Sequence, residues 1–398
     1  MAPLATAPAR RAIRSLALGV LLATGVGAAC PLPAAADAPT PLLPVRTEDL
    51  PTLLDDGDVG SLREAIRRSL AWLERQPAGR RLVFGPRAVT VSEQARGFRR
   101  LLDLLADDPP AELLEERVLR EFEVQRGAGR ADGAVLVTGY HEPVVEAAET
   151  PSREYSVPIL GVPGALLGAS LEGRRPAPTW TRADIEEGRV PIRGLAIAWA
   201  RDPVDVFFME VEGSGTLRLP DGREIRVGYA ATNGRPYRSI GRLLIDEGKI
   251  DPEAMSMQAL RAWLDANPAQ RSRVLRHNES YVFFERRSGP PLGSLGVPLT
   301  PERSIATDAR LFPPGVLAFV RTERPVAREG RVQWRPVSRF VLNQDTGGAI
   351  RGPGRVDVFW GRGLDADLAS GLMKQVGELY ILVPRVPERV VRVPAGER

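Results

Sequence analysis

The 398-residue chain contains one cysteine, two histidines and two lysines. A single thiol, Cys30, allows no internal disulfide framework, so stability has to come from a packed core. With only His141 and His277 available, a zinc centre or a Ser-His-Asp triad would rest on very few residues, and no metal site is expected. Lysine is confined to Lys249 and Lys374, and arginine supplies nearly all the positive charge. That bias fits a GC-rich coding sequence better than a nucleic-acid surface, because no basic run is interleaved with stacking aromatics. Nucleic acid is not an expected partner. The chain also lacks a G-x-S-x-G elbow, a Walker loop, a G-x-G-x-x-G turn, an internal repeat and any low-complexity tract.

What remains is ordinary globular material. Hydrophobic residues make up 43% and charged residues 26%, and the length suits about two or three domains. The formal charge of +4 includes Arg10, Arg11 and Arg14 in a leader without acids, so the mature chain is nearer 4 − 3 = +1. Those arginines precede an apolar stretch, Leu16 to Ala29, that is too short to span a bilayer and reads as a signal segment over 1–36. Two processing sites stay open. Ala34-Ala35-Ala36 offers cleavage before Asp37, while Cys30 after Gly27-Ala28-Ala29 offers a lipid-anchored first residue. Both export the protein, to the periplasm or to an outer-membrane anchor.

Residues 37–60, rich in Pro, Asp and Leu, read as a linker. A helix follows, with Ser61 and Glu64 as a capping box and Ala65, Ile66, Leu70 and Leu73 on one face. Phe98, Leu101, Leu102 and Leu105 mark a second helix, and Leu113, Leu114, Val118 and Phe122 a third. From Ala134 the period becomes that of strands: 134–143, 194–200, 205–219 and 224–230. Helices are expected at 239–248 and 255–264. Strands return at 281–285, 316–320, 338–344, 356–360 and 379–383, with a helix over 365–375. Trp199, Trp263 and Trp334 read as core, and Trp360 as core or platform.

Three aspartates in the last quarter sit in glycine-rich or apolar settings: Asp308 in SIATD, Asp345 in QDTGGAIRG and Asp357 in RVDVFWGRG. Any one alone is better read as a turn or cap residue. Asp357, however, alternates with Val356 and Val358 on a short strand, where desolvation would raise its pKa toward a usable general acid. Asp345-Thr346-Gly347 spells the aspartic-protease triplet, but those enzymes need two facing carboxylates and only one such triplet is present. Three further segments resemble ligand-contacting backbone. TGYHEP (138–143) carries Tyr140 and Glu142. EGSG (212–215), with Gly213, Ser214 and Gly215, interrupts an apolar strand. GYAATNGRPYRSIG (228–241) places Tyr229, Asn233 and Tyr237 around a glycine turn. Each alone reads equally as a hairpin edge; together they supply the aromatic faces and polar donors of an oligosaccharide groove.

These blocks, with MSMQALRAWL, NESYVFFE and DVFWGRG, resemble in content and order the membrane-bound lytic murein transglycosylase A (MltA) family, over about Val137 to Val383. Two residues depart from its pattern: Glu212 where Gln usually precedes G-S-G, and His141 where a second aromatic is common. The resemblance implies a mainly β protein with flanking helices (α+β). A double-psi β-barrel would be assembled from 61–149 and 291–390, with a second β-domain inserted over 150–290 and a glycan groove between them. It implies non-hydrolytic cleavage of the β-1,4 bond between N-acetylmuramic acid and N-acetylglucosamine in peptidoglycan glycan strands. The product would be a 1,6-anhydromuramoyl end, and no cofactor is required. By motif, Asp357 would be the acid/base and Asp345 and Asp308 its supporting carboxylates. Tyr140, Glu142, Gly213, Ser214, Gly215, Tyr229, Asn233, Gln344 and Trp360 would contact substrate, in a monomer. The open alternatives are a hydrolase of the same glycan and a catalytically silent peptidoglycan-binding protein.

Overall fold

The computed structural model describes residues 41–171, 176–177, 179–347 and 350–386. The leader, Cys30 and both processing sites lie outside the described residues. In chain order, the N-terminal part comprises β1 (Leu42–Pro44), α1 (Val59–Glu74), β2 (Arg81–Phe84), β3 (Arg87–Thr90), α2 (Val91–Leu104), α3 (Ala111–Glu121), β4 (Phe122–Gly127) and β5 (Val135–Glu142). The middle comprises β6 (Val144–Ala148), β7 (Val157–Leu160), α4 (Gly164–Leu171), α5 (Arg182–Glu186), β8 (Ala196–Ala200), α6 (Pro203–Glu212), β9 (Ser214–Arg218) and β10 (Glu224–Thr232). It continues through α7 (Ile240–Asp246), α8 (Met257–Ala266), α9 (Pro268–His277) and β11 (Val282–Arg287). The last part is β12 (Ser304–Ala306), β13 (Leu317–Arg328), β14 (Arg331–Asp345), β15 (Arg355–Arg362), α10 (Leu364–Leu372) and β16 (Lys374–Pro384).

Two sheets organise the chain. One runs β1-β4-β16-β13-β14-β12-β15-β5, and a further β16–β5 pairing closes six of its strands into a barrel. Two of the barrel contacts, β12 with β14 and β15 with β5, are parallel; such neighbours cannot be joined by a tight hairpin and need crossovers. The intervening chain between β5 and β12 supplies the second sheet, β11-β10-β9-β6-β8-β7. The expected class, mainly β with helices, a closed barrel and a second β-lobe, is what the structure has.

The expected linker is a correction. From residue 41 the segment belongs to the folded body: β1 pairs with β4, and Leu42 and Leu53 are fully buried. Asp55 binds the buried Arg303 guanidinium through both oxygens at 2.6 and 2.8 Å. Arg303 also donates to Phe340 O and Asp58 O, which ties this segment to the barrel. Removing one partner of such a buried pair typically costs about 3–5 kcal/mol. The cap of α1 also shifts. Asp58, not Ser61, is the N-cap and accepts from Ser61 N at 2.7 Å, while Glu64 pairs with Arg68.

The strand expected over 205–219 is instead a helix followed by a strand. Asp202 caps Val204 N, Pro203 occupies the first turn, and Gly213 ends α6 in the left-handed conformation at φ 77°. These are start and stop signals for a helix, and they outweigh the β-preference of Val204, Val206, Phe207 and Phe208. Trp334 is the other correction. It lies on the first, solvent-exposed part of β14 and is 40% exposed, so it is not core.

Candidate active site

The barrel places two of the three aspartates in one row. Ala306 on β12 pairs with Asp345 on β14 and with Asp357 on β15, and Asp357 pairs in turn with Thr138 on β5. Asp345 and Asp357 are therefore two strands apart, roughly 10 Å between backbones at about 4.8 Å per strand. Tyr140, two residues along β5 from Thr138 and so on the same face, donates its hydroxyl to Asp345 Oδ2 at 3.0 Å.

The two carboxyls differ in environment. Asp345 Oδ1 accepts from Ser294 N and Thr346 N, both at 2.8 Å. Burial still dominates those donors and holds its pKa above the ordinary carboxylate value. Asp357 accepts from Thr138 Oγ1 and from Arg355, whose Nε lies 3.1 Å from Oδ1. Both carboxyls are partly buried; Asp345 is held by backbone N–H groups, whereas β15 brings an arginine to Asp357. Tyr140 lies within electrostatic reach of Asp345, Asp357 and Glu212, and burial and these charges push its pKa well above the ordinary phenol value.

Asp308 is elsewhere. Its carboxylate accepts from Arg310 Nε and Nη2 at 2.9 and 2.6 Å, from Arg310 N at 3.1 Å and from Gly352 N at 2.9 Å. The Arg310 hydrogen bonds, with help from Gly352 N, keep it far below the ordinary carboxylate range. The structure makes it the anchor of the loop between β14 and β15, and no hydrogen bond or ion pair among the described residues joins it to Asp345 or Asp357.

Several expected sugar contacts have other employment. Asn233 is buried, donating to Trp180 O and Glu279 O and accepting from Tyr281 N. Gln344 is buried, donating to Ala65 O and Ser69 Oγ and accepting from Ser304 Oγ, which fastens β14 to α1. Glu142 is buried and accepts from Thr216 Oγ1 at 2.7 Å, joining β5 to β9 across the two sheets. Trp360 is buried with Arg324 over its ring and Gly139 beneath, where a Cβ would come within 2.5 Å of the indole. It is core, not a platform. Gly213 is a helix stop; Gly215 leaves room for Met209, whose sulfur would lie 2.6 Å from a Cβ there, and Ser214 opens β9. Of the aromatics in these segments, Tyr229 and Tyr237 are exposed, at 48% and 41%. Tyr237 lies within electrostatic reach of both Arg355 and Glu212.

Residues 136–285 match the MltA specific insert domain and residues 303–383 the 3D domain. The membrane-bound lytic murein transglycosylase A of Vibrio cholerae serotype O1 is 34% identical over 262 residues, covering 65% of this chain and 68% of that protein. Its Escherichia coli K12 counterpart is 33% identical over 277 residues, 67% and 72% of the two chains. The chain belongs to the membrane-bound lytic murein transglycosylase A family. A transglycosylase structure from Agrobacterium tumefaciens superposes with a TM-score of 0.70 at 32% identity, covering 86% of this chain and 98% of that one. Escherichia coli MltA with bound chitohexaose does so at 0.69 and 27%, covering 87% and 95%.

The two departures from the MltA pattern meet in space. His141 is buried with Nδ1 3.6 Å from Glu212 Oε1 and 2.8 Å from Ser370 Oγ, while Nε2 lies 3.5 Å from Asp367. Burial opposes a charged imidazole, but Glu212, Asp367 and Glu142 outweigh it and raise its pKa. Thr138, Arg355 and Ser294 were not legible as site residues. Arg355 had one signal, its position two residues before Asp357 on a strand.

Proposed function

We propose that this protein is a peptidoglycan lytic transglycosylase that cleaves the β-1,4 bond from N-acetylmuramoyl to N-acetylglucosaminyl units and leaves a 1,6-anhydromuramoyl end. The observation that carries this reading is that the Asp345–Asp357 row leaves one carboxyl, Asp357, with no backbone N–H donor among the described residues. Asp345 is held by two backbone N–H groups and a tyrosine, and Glu212 is turned toward His141. A hydrolase would need Asp345 or Glu212 to attack or to activate water; the groups already engaging both carboxylates favour the transglycosylase reading. The relatives are named murein transglycosylases, and one related structure holds a β-1,4 glycan.

In the proposed reaction the Asp357 carboxyl donates its proton to the leaving O4 of the N-acetylglucosaminyl unit as the C1–O4 bond breaks. The muramoyl 6-hydroxyl then attacks C1, forming O6–C1, and gives its proton to the Asp357 carboxylate. One acid is consumed and regenerated, and no water enters. Asp345 supports the row through Tyr140, and Asp308 supports it at a distance by fixing the β14–β15 loop. Glycan strands pass between Tyr229 and Tyr237 on one side and the barrel row on the other. Asp357→Asn keeps the size of the side chain but removes the transferable proton. It should abolish turnover, by at least about 10²-fold, while glycan binding persists; near-normal rates would transfer the role to Asp345.

On this reading the leader exports the enzyme to the periplasm as a monomer, either held at the outer membrane through Cys30 or released by cleavage before Asp37. No helix among the described residues is long and apolar enough to cross a membrane.

A further inference from the structure

Arg355 and Asp357 stand two apart on β15 and leave the strand on one face. The guanidinium uses Nε on Asp357 Oδ1 at 3.1 Å and Nη2 on Asp357 Oδ2 at 3.4 Å and on Thr138 Oγ1 at 3.3 Å. Nη1 donates to nothing among the described residues. The Arg355 side chain is 31% exposed against 14% for Asp357. Arg355 is thus the more open member of the pair, and Tyr237 of the second lobe lies within its electrostatic reach. The charged and titratable groups of this corner are Asp357 on β15, Tyr140 on β5, Asp345 on β14, Glu212 at the end of α6 and Tyr237 before α7.

We infer that Arg355 is an anion subsite, binding a carboxylate carried by the muramoyl unit whose bond is cleaved. This rests on the transglycosylase reading. A general acid has to present its carboxyl to the leaving oxygen, and Arg355 engages both Asp357 oxygens. Arg355 therefore has to exchange Asp357 for another acceptor before the proton can be delivered. The muramoyl sugar brings one. Its lactyl ether ends in a carboxyl that is free in peptide-free strands, or amide-linked to a stem peptide with carboxylates of its own. The N-acetylglucosaminyl sugar has none. Exchange of one carboxylate for another keeps the arginine paired and frees Asp357 to take up a proton. The same exchange selects between the two alternating β-1,4 bonds of the strand, since only one has the acidic sugar at the reacting carbon.

The test uses peptide-free strands with the lactyl carboxyl free, the same strands with it converted to a methylamide, and peptide-bearing strands. The wild-type protein should show kcat/KM at least about tenfold higher on the acid than on the amide, the worth of a charge-assisted hydrogen bond. Arg355→Gln should bring that ratio close to one, and Arg355→Lys should retain part of it. A merely structural arginine would lower all rates together and leave the ratio intact. If Arg355→Gln changes neither the acid-to-amide ratio on peptide-free strands nor the rate on peptide-bearing strands relative to the amide, the subsite is wrong. Dependence on Arg355 confined to peptide-free strands assigns the carboxylate to the lactyl group; the same dependence on peptide-bearing strands assigns it to the stem. Calorimetric binding of the acid and amide strands separates the two readings. A protein that cleaves neither yet binds the acid about tenfold tighter loses the transglycosylase reading and keeps the subsite.

Discussion

Asp308→Asn distinguishes a carboxylate that does chemistry from one that holds a loop. In the structure both Asp308 oxygens are occupied, by Gly352 N at 2.9 Å, Arg310 N at 3.1 Å and the Arg310 guanidinium at 2.6 and 2.9 Å. The Arg310 side chain is 70% exposed, so that ion pair is screened by solvent and adds little. The carboxylate bond to Gly352 N is charge-assisted and contributes about 1.5–3 kcal/mol. Asparagine keeps one acceptor but turns an NH2 toward one of these donors. The expected loss is about 1.5–3 kcal/mol, a fall in Tm of a few degrees for a chain of this size. The sign with pH follows from the depressed folded-state pKa. The Asp308 contribution is present above the ordinary carboxylate value of 3.8 and is lost only as pH falls through the folded value. The Tm difference between variant and wild type should therefore be constant from about pH 7 to pH 5. Thermal melts at both pH values, with turnover measured well below the melting range, read both quantities. Loss of turnover at an unchanged Tm would refute the loop-anchor reasoning and return Asp308 to the chemistry.

Asp345 carries the opposite sign. Its folded pKa is raised, so its contribution is present below the unfolded carboxylate pKa and is lost as pH rises through the folded value. Asp345→Asn should therefore gain stability relative to wild type as pH rises from about 4 to 7, while its turnover falls and the pH optimum shifts; a pH-independent stability difference would contradict this. Cys30→Ser should move the protein from the membrane to the soluble fraction if Cys30 is lipidated, and sequencing of the mature N-terminus reads the site directly. An N-terminus at Asp37 would remove the anchor, and an uncleaved Met1 would remove export.

Much of the barrel was legible because its strands alternate or run apolar between glycine and proline turns, as 316–320, 356–360 and 379–383 do. The Asp345 and Asp357 positions could be read from the glycines around them. Their relation could not, because it passes through Ala306, on a strand of three residues whose pairing depends on barrel closure. The helix α6 was missed because Val, Phe and Met side chains suit a strand locally, whereas Asp202, Pro203 and Gly213 set its ends. Asn233 looked like a sugar ligand because polar residues in glycine-rich segments usually face solvent, and Gln344 because the family resemblance implied it. Gln344 reaches Ala65 and Ser69, and Asn233 reaches Trp180 and Tyr281; such distant partners exist only once the chain has folded. Arg303 was unremarked for the same reason, its acceptor Asp55 lying in what read as a linker.

Mass spectrometry of muropeptides released by the purified protein from peptidoglycan tests the central claim most directly. One acid and an intramolecular nucleophile require a muramoyl product lighter by one water than the hydrolytic product, with no reducing muramic end. Reducing-end muramic acid as the main product would contradict the account, because water would then have replaced the 6-hydroxyl at C1.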